Sequence, residues 1–364
     1  MKILIAPLDW GLGHTTRCIP VIRYLLDQGH KVTAAAEGAA AILLRENFPR
    51  LPLLPLKGYG IRYSKSKTWF TMRILIQVPR ILSAIRREHR WLKDQQAQHH
   101  FDLVISDNRY GLYHAQLPCV ILTHQLQVQS GLGDITDAGL RRLHYHLLER
   151  FDACWVVDAE RDGGLSGKLA HPGLLPRQAT YIGILSQFMG CHQPAAAGAS
   201  ILVLLSGPEP MRGQLERLIL EQAALLTQYT FVVVAGKPGA VVPQALPAHI
   251  TYHTHLSGEA LLEQITAAAL LVCRSGYSTV MDLAVLGKKA LLIPTPGQSE
   301  QEYLARYLAK KHYFSAVSQR QLQLGQDIPK ALAAAYTPLR PLGTNENMVS
   351  VIAPFLALIA QPPL

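Results

Sequence analysis

The sequence predicts an α/β protein made of two doubly wound, Rossmann-like domains with an inter-domain cleft. Three observations predict it. The chain has 364 residues, 49% of them hydrophobic, which suits two cores at roughly 100–200 residues per domain. Short β-branched or leucine-rich runs alternate with stretches of helical period, the rhythm of βαβ units on a parallel sheet. That rhythm stops near residues 182–200 and then starts again. We therefore expect an amino-terminal domain over residues 1–187 and a carboxyl-terminal domain over 188–364. The last helix, about 346–361, is expected to pack back on the first domain.

The elements follow in order. Ile3–Ala6 is a strand, and Thr15–Gln28 is a helix with Ile19, Ile22, Leu25 and Leu26 on one face, ended by Gly29. Val32–Ala36, Leu103–Ser106, Val120–Thr123 and Cys154–Val157 are further strands. Residues 190–198 have no apolar period and read as a linker. Beyond it Ile201–Leu205, Phe231–Val234, Leu270–Cys273 and Ala290–Ile293 are strands. The helices there are Leu215–Leu226, Ser278–Leu286, Glu300–Ala309 and the apolar Met348–Ile359.

Composition narrows the function classes. The apolar runs are too short to span a bilayer, and Met1–Pro7 does not read as a leader, since its apolar run is brief and Asp9 follows. Five scattered cysteines fit reduced thiols, hence a cytoplasmic protein. No Cys or His spacing points to zinc, and no Asp-x-Asp or Gly-Lys-Ser/Thr motif is present, so neither a metal nor a cofactor is expected. The net charge of +10 is uneven: residues 1–190 carry 23 basic against 15 acidic residues, the remainder 12 against 10. The basic half suggests an anionic partner. Lys65–Lys93, with Arg73, Arg80, Arg86, Arg87 and Arg90 among apolar residues, reads either as a surface for an anionic membrane or a lipid phosphate, or as an ordinary amphipathic helix. No nucleic-acid module is recognisable, so nucleic acid is not an expected partner.

The chemistry concentrates where strands run into helices. After the first strand comes Asp9-Trp10-Gly11-Leu12-Gly13-His14-Thr15-Thr16-Arg17. Glycines there let a ligand approach the backbone, helix-start N–H groups bind anions, and His14 is placed as a general base. Ser206-Gly207 and Arg212 repeat this logic in the second half, with donors and charge for a phosphate. The richest segment is Arg274-Ser275-Gly276-Tyr277-Ser278-Thr279, followed by Asp282 and by Gln298, Glu300, Gln301 and Glu302. Its helix start favours a diphosphate. Asp282, one turn on, suits the two hydroxyls of a ribose, and the Gln/Glu group suits sugar hydroxyls. At other strand ends, Asp107 is placed to orient His14 or an acceptor hydroxyl, Arg109 to hold an acceptor phosphate, and His124 shares their acceptor side. For each of the three, a structural cap is the reading the strand-end position favours over the functional one.

The segment Arg274–Tyr303 resembles the carboxyl-terminal domain of glycosyltransferase family 28, which includes the N-acetylglucosaminyltransferase that completes the lipid-linked peptidoglycan precursor. Gly276, Thr279 and Asp282 match its Gly-x-x-Thr-x-x-Glu helix start, with Asp for Glu. Gln301-Glu302 matches its Gln pair, with Glu for one Gln. Gly11-Leu12-Gly13-His14 is similar to the family's Gly-rich loop and its His. The resemblance implies a GT-B fold and an inverting, metal-independent transfer. A hexose or N-acetylhexosamine would pass from a UDP-sugar co-substrate to a lipid-linked or envelope glycan at the inner face of the cytoplasmic membrane. His14 would then take the acceptor proton. Gly11, Gly13, Ser206, Gly207 and Ser275–Thr279 would hold the diphosphate. Asp282 would hold the ribose, and Gln298, Glu300, Gln301 and Glu302 would read the donor sugar. The rivals are a UDP-sugar hydrolase of the pseudaminic-acid type, whose Gly-x-Gly-His-x-x-Arg loop Gly11–Arg17 also matches, a nucleotide-sugar epimerase, and a nucleotide-sugar-binding protein without catalysis.

Overall fold

The structure, a computed structural model, describes residues 1–9, 11–59, 70–127, 134–191, 198–243, 245–339 and 345–361. Within these the chain divides into two compact units, one of residues 1–189 and 345–361, the other of residues 190–339.

The first unit is built from β1 (Lys2–Ala6), α1 (Leu12–Asp27), β2 (Lys31–Ala35), α2 (Gly38–Asn47), β3 (Leu53–Leu54), α3 (Phe70–His99), β4 (Leu103–Asp107), β5 (Cys119–Thr123), α4 (Asp134–Leu148), β6 (Ala153–Val156) and β7 (Ala179–Tyr181). Its parallel sheet runs β3-β2-β1-β4-β5-β6-β7. Every residue of β4 and β5 is buried, because helices cover both faces of a parallel sheet and its strands read as continuous apolar runs. On α1 the buried stripe is Cys18, Ile19, Val21, Ile22 and Leu25. Leu26, expected on that stripe, is 37% exposed. The helix also begins three residues earlier than its apolar period indicated, so Gly13 and His14 lie in its first turn and not in the preceding loop.

The second unit comprises β8 (Ser200–Leu204), α5 (Met211–Ala223), β9 (Phe231–Val234), β10 (Ile250–His253), α6 (Gly258–Ala267), β11 (Ala268–Cys273), α7 (Tyr277–Leu286), β12 (Ala290–Leu292), α8 (Ser299–Lys310), β13 (Ser315–Ala316) and α9 (Leu324–Ala333). Its parallel sheet runs β10-β9-β8-β11-β12-β13. The final helix, α10 (Asn345–Ile359), joins the first unit, where the ring of Phe355 meets Trp155 edge-on at 5.5 Å.

Strand order reverses between β1 and β4 in one sheet and between β8 and β11 in the other. In open parallel sheets such a switch point opens a crevice beyond the carboxyl ends of the strands, where ligands bind.

Candidate active site

In the first unit, the loop after β1 turns into α1 through Gly11, at φ 80°, a left-handed conformation that glycine adopts without a Cβ penalty. No side chain caps α1 and no acidic residue lies in its first turn, so its dipole is open to an anionic group. His14, one turn in, has a side chain 14% exposed, and its Nδ1 lies 3.1 Å from Oδ1 of Asp107 at the end of β4. Arg17, on the same helical face, is 1% exposed. Its Nε donates to Asp107 Oδ2 at 2.7 Å, and its Nη2 donates to Asp107 Oδ1. Nη2 also lies 2.9 Å from His14 Nδ1, and Nη1 lies 2.8 Å from Nδ1 of His124, just past β5. Three adjacent strands thus bring His14, Asp107 and His124 around one guanidinium.

Burial pushes the Asp107 carboxyl up, but the charges and hydrogen bonds of Arg17 and His14 outweigh it and hold the group well below the carboxylate range. His14 is displaced below its ordinary value. Burial is the largest cause, and the charges of Arg17 and His124 add to it against the pull of Asp107. Both directions favour an uncharged imidazole beside a charged carboxylate, the arrangement a general base requires. In the sequence Arg17 stands only as the last residue of the Gly11–Arg17 motif. The signal for its importance was its spacing, three residues after His14 on a helix.

Arg109 stands apart from this group. It is fully buried, and its guanidinium donates to Glu88 Oε1 at 2.9 Å and to the carbonyls of Pro7 and Lys57 at 2.8 and 3.2 Å. The expected contact with an acceptor phosphate is therefore corrected: its charge joins β4, the first loop and α3 to one another. The Ser106 hydroxyl accepts from the Arg109 N–H and donates to its carbonyl, so the strand-end cap is the role the packing shows.

In the second unit, Ser206 and Gly207 follow β8 and are exposed, with Gly207 at φ 97°. Arg274, Ser275 and Gly276 follow β11, and Gly276 is the N-cap of α7, which no side chain caps. Ser278, Thr279 and Asp282 lie on α7 and are half-buried. The Arg274 guanidinium donates to Met211 O at 2.8 Å and to Pro294 O and Ile293 O at 3.1 and 3.3 Å. It thereby ties the loops after β8 and β12 to the end of β11, and burial brings its pKa down to about 10. The Ser275 hydroxyl donates to Gln301 O at 2.8 Å. Gln301 Oε1 accepts from the Thr295 N–H and Glu302 Oε1 from the Gly297 N–H, both at 2.9 Å. Those of the second unit expected to meet the donor are thus gathered at the ends of β8, β11 and β12, while Gly11 and Gly13 belong to the first unit. Four of the second-unit residues, Arg274, Ser275, Gln301 and Glu302, also hold the loops in shape, and Gln298 and Glu300 stand half-buried at the start of α8.

Arg212 does not join them. It is 3% exposed and pairs with Glu209 and, at 3.0 Å, with Glu216. Glu216 also pairs with Lys237 at 3.0 Å. The charge expected for a donor phosphate is neutralised within the loop and α5. Among the described residues no group of three or more His, Cys, Asp or Glu is placed to hold a metal ion.

Residues 214–350 match the family model of the glycosyltransferase family 28 C-terminal domain. An uncharacterized glycosyltransferase of Methanosarcina mazei is 25% identical over 349 residues, spanning 86% of this chain and 84% of its own. The UDP-N-acetylglucosamine--N-acetylmuramyl-(pentapeptide) pyrophosphoryl-undecaprenol N-acetylglucosamine transferase of Klebsiella pneumoniae is 25% identical over 303 residues, spanning 80% of this chain and 77% of its own. The crystal structure of CalG4, the calicheamicin glycosyltransferase, shares the fold with a TM-score of 0.64 at 15% identity, covering 98% of each chain. The chain is a glycosyltransferase of the GT-B class. More narrowly, its residues 214–350, which include the loops after β11 and β12, are similar to the family 28 C-terminal domain.

Proposed function

We propose that the protein transfers a hexose or N-acetylhexosamine from a UDP-sugar to a lipid-linked or envelope glycan, with inversion, without a metal, at the inner face of the cytoplasmic membrane. The observation that carries the reading is His14 in the first turn of α1, with Nδ1 3.1 Å from Oδ1 of Asp107 and burial lowering the proton affinity of the ring. In the transfer, the acceptor hydroxyl oxygen forms the new bond to the anomeric carbon while the bond from that carbon to the diphosphate breaks. The electron pair leaves with UDP, and the hydroxyl proton passes to Nε2 of His14. The Ser206–Gly207 loop and the start of α7 stabilise the leaving diphosphate, and Asp282 accepts from the ribose hydroxyls.

The match over residues 214–350 supports the donor class. The membrane-side acceptor is supported by α3. Ala84, Ile85, Glu88 and Leu92 on it are buried, while Arg80, Arg86, Arg87, Arg90 and Lys93 are exposed beside Leu82, which is 43% exposed. Of the basic stretch, residues 65–69 and the side chains of residues 70–78, Arg73 among them, lie outside the described residues. Among the described residues no helix is long and apolar enough to cross a membrane.

The test is UDP release from a panel of UDP-sugars, with and without a cell lipid extract. Release that requires the lipid supports the reading. Equal release without it makes water the acceptor, and no release with any donor refutes the assignment.

A further inference from the structure

The guanidinium of Arg17 is a donor at every nitrogen, so each neighbour it meets is constrained. Nδ1 of His124, 2.8 Å from Nη1, must accept, which places that ring's proton on Nε2. Nδ1 of His14 has two neighbours of opposite kind: the donor Nη2 at 2.9 Å and the acceptor Oδ1 of Asp107 at 3.1 Å. When Nδ1 accepts from Arg17, the His14 proton sits on Nε2. When Nδ1 carries the proton and donates to Asp107, Nε2 has an open lone pair. The groups facing His14 are Arg17 from α1, Asp107 from β4 and His124 from the end of β5, and the Cys18 thiol touches Asp107 at 3.6 Å.

We propose that Arg17 is a positioning residue for the transfer, acting through Asp107 to set the proton affinity of His14. By pairing with both carboxylate oxygens it leaves Asp107 able to orient the ring while muting the negative charge that would otherwise keep the ring protonated. It also keeps the proton of His124 on Nε2, so that His124 is a hydrogen-bond donor on its far side and not a competing base. This rests on the reading of His14 as the base. A Lys at position 17 would supply the charge but not the planar fork that meets one carboxylate and two rings together.

The experiment is titration of the His14 imidazole by NMR in the full chain without substrate, for the native protein and for Arg17→Gln, Arg17→Lys and Asp107→Asn, beside the pH profile of UDP release. In Arg17→Gln the midpoint should rise by about one pH unit or more, which is tenfold in the ratio of protonated to neutral ring. The acid limb of the pH profile should rise with it. In Asp107→Asn the midpoint should fall. In Arg17→Lys it should stay within about half a unit of native while turnover drops roughly tenfold or more. Opposite shifts of this kind do not arise from a merely structural role. An unchanged or lowered midpoint in Arg17→Gln, or a raised one in Asp107→Asn, overturns the proposal. If Arg17→Gln does not fold, Asp107→Asn and Arg17→Lys decide it by the same criteria. Should no UDP-sugar be turned over by the native protein, the functional reading fails, while the titration still decides whether Arg17 governs His14.

Discussion

Replacing His14 by alanine separates catalysis from folding and from donor binding. A positioned general base contributes about 10²–10⁴-fold, or roughly 2.7–5.4 kcal/mol of barrier. The structural loss is smaller. The side chain is 14% exposed and its Nδ1 makes one hydrogen bond, with Asp107 or Arg17, about 0.5–1.5 kcal/mol, and alanine in a helical turn offsets part of that. Asp107 keeps its pair with Arg17, so no buried charge is left without a partner. The loops proposed to hold UDP belong to the second unit, so UDP affinity should be unchanged. The assay is turnover by UDP release, with UDP affinity by calorimetry and the melting temperature measured alongside. The native pH profile adds a signed check. The base must be neutral, so activity falls as pH falls through its pKa. Because His14 is lowered from 6.5, the acid limb should lie below pH 6.5. Full turnover in His14→Ala would make the residue structural. A parallel loss of UDP affinity would make it a phosphate ligand. An acid limb above pH 7 would contradict the burial argument.

Further outcomes follow from other parts of the molecule. Asp282→Ala should weaken UDP binding by about tenfold or more, the effect of a charge-assisted hydrogen bond of about 1.5–3 kcal/mol; unchanged calorimetric affinity would remove Asp282 from the site. Gly164→Ala should destabilise the first unit by about 2–4 kcal/mol, because its φ is +52° and the added Cβ would lie 2.3 Å from Oδ1 of Asp158. That carboxylate accepts from the N–H groups of Ala159, Leu165 and Ser166, and a melting temperature equal to native would show that the loop relaxes freely. Reversing Arg86 and Arg90 to Glu should abolish sedimentation with anionic vesicles at low salt, since each basic residue contributes about 1 kcal/mol there. Binding that ignores lipid charge or salt would leave α3 an ordinary amphipathic helix.

Local chemistry made much of this protein legible in its sequence. The apolar runs of β1, β4, β5, β8 and β11 and the stripe of α1 are set by residues within a few positions of one another, and the restart of the βαβ rhythm marked two units. Gly11 before His14, and Gly276 before Asp282, are likewise local signals. The short strands β3, β7 and β13 have two or three residues each, too few to show a period, and they form only because a neighbouring strand offers its free edge. Partners distant in sequence account for the rest. Arg17 and Asp107 are 90 positions apart, and only the adjacency of β1 and β4 brings them together. The same adjacency, with α3 laid beside it, buried Arg109 against Glu88, which turned an expected phosphate ligand into a structural tie. The strand order, not any motif, decided which charges met each other and which remained for a substrate.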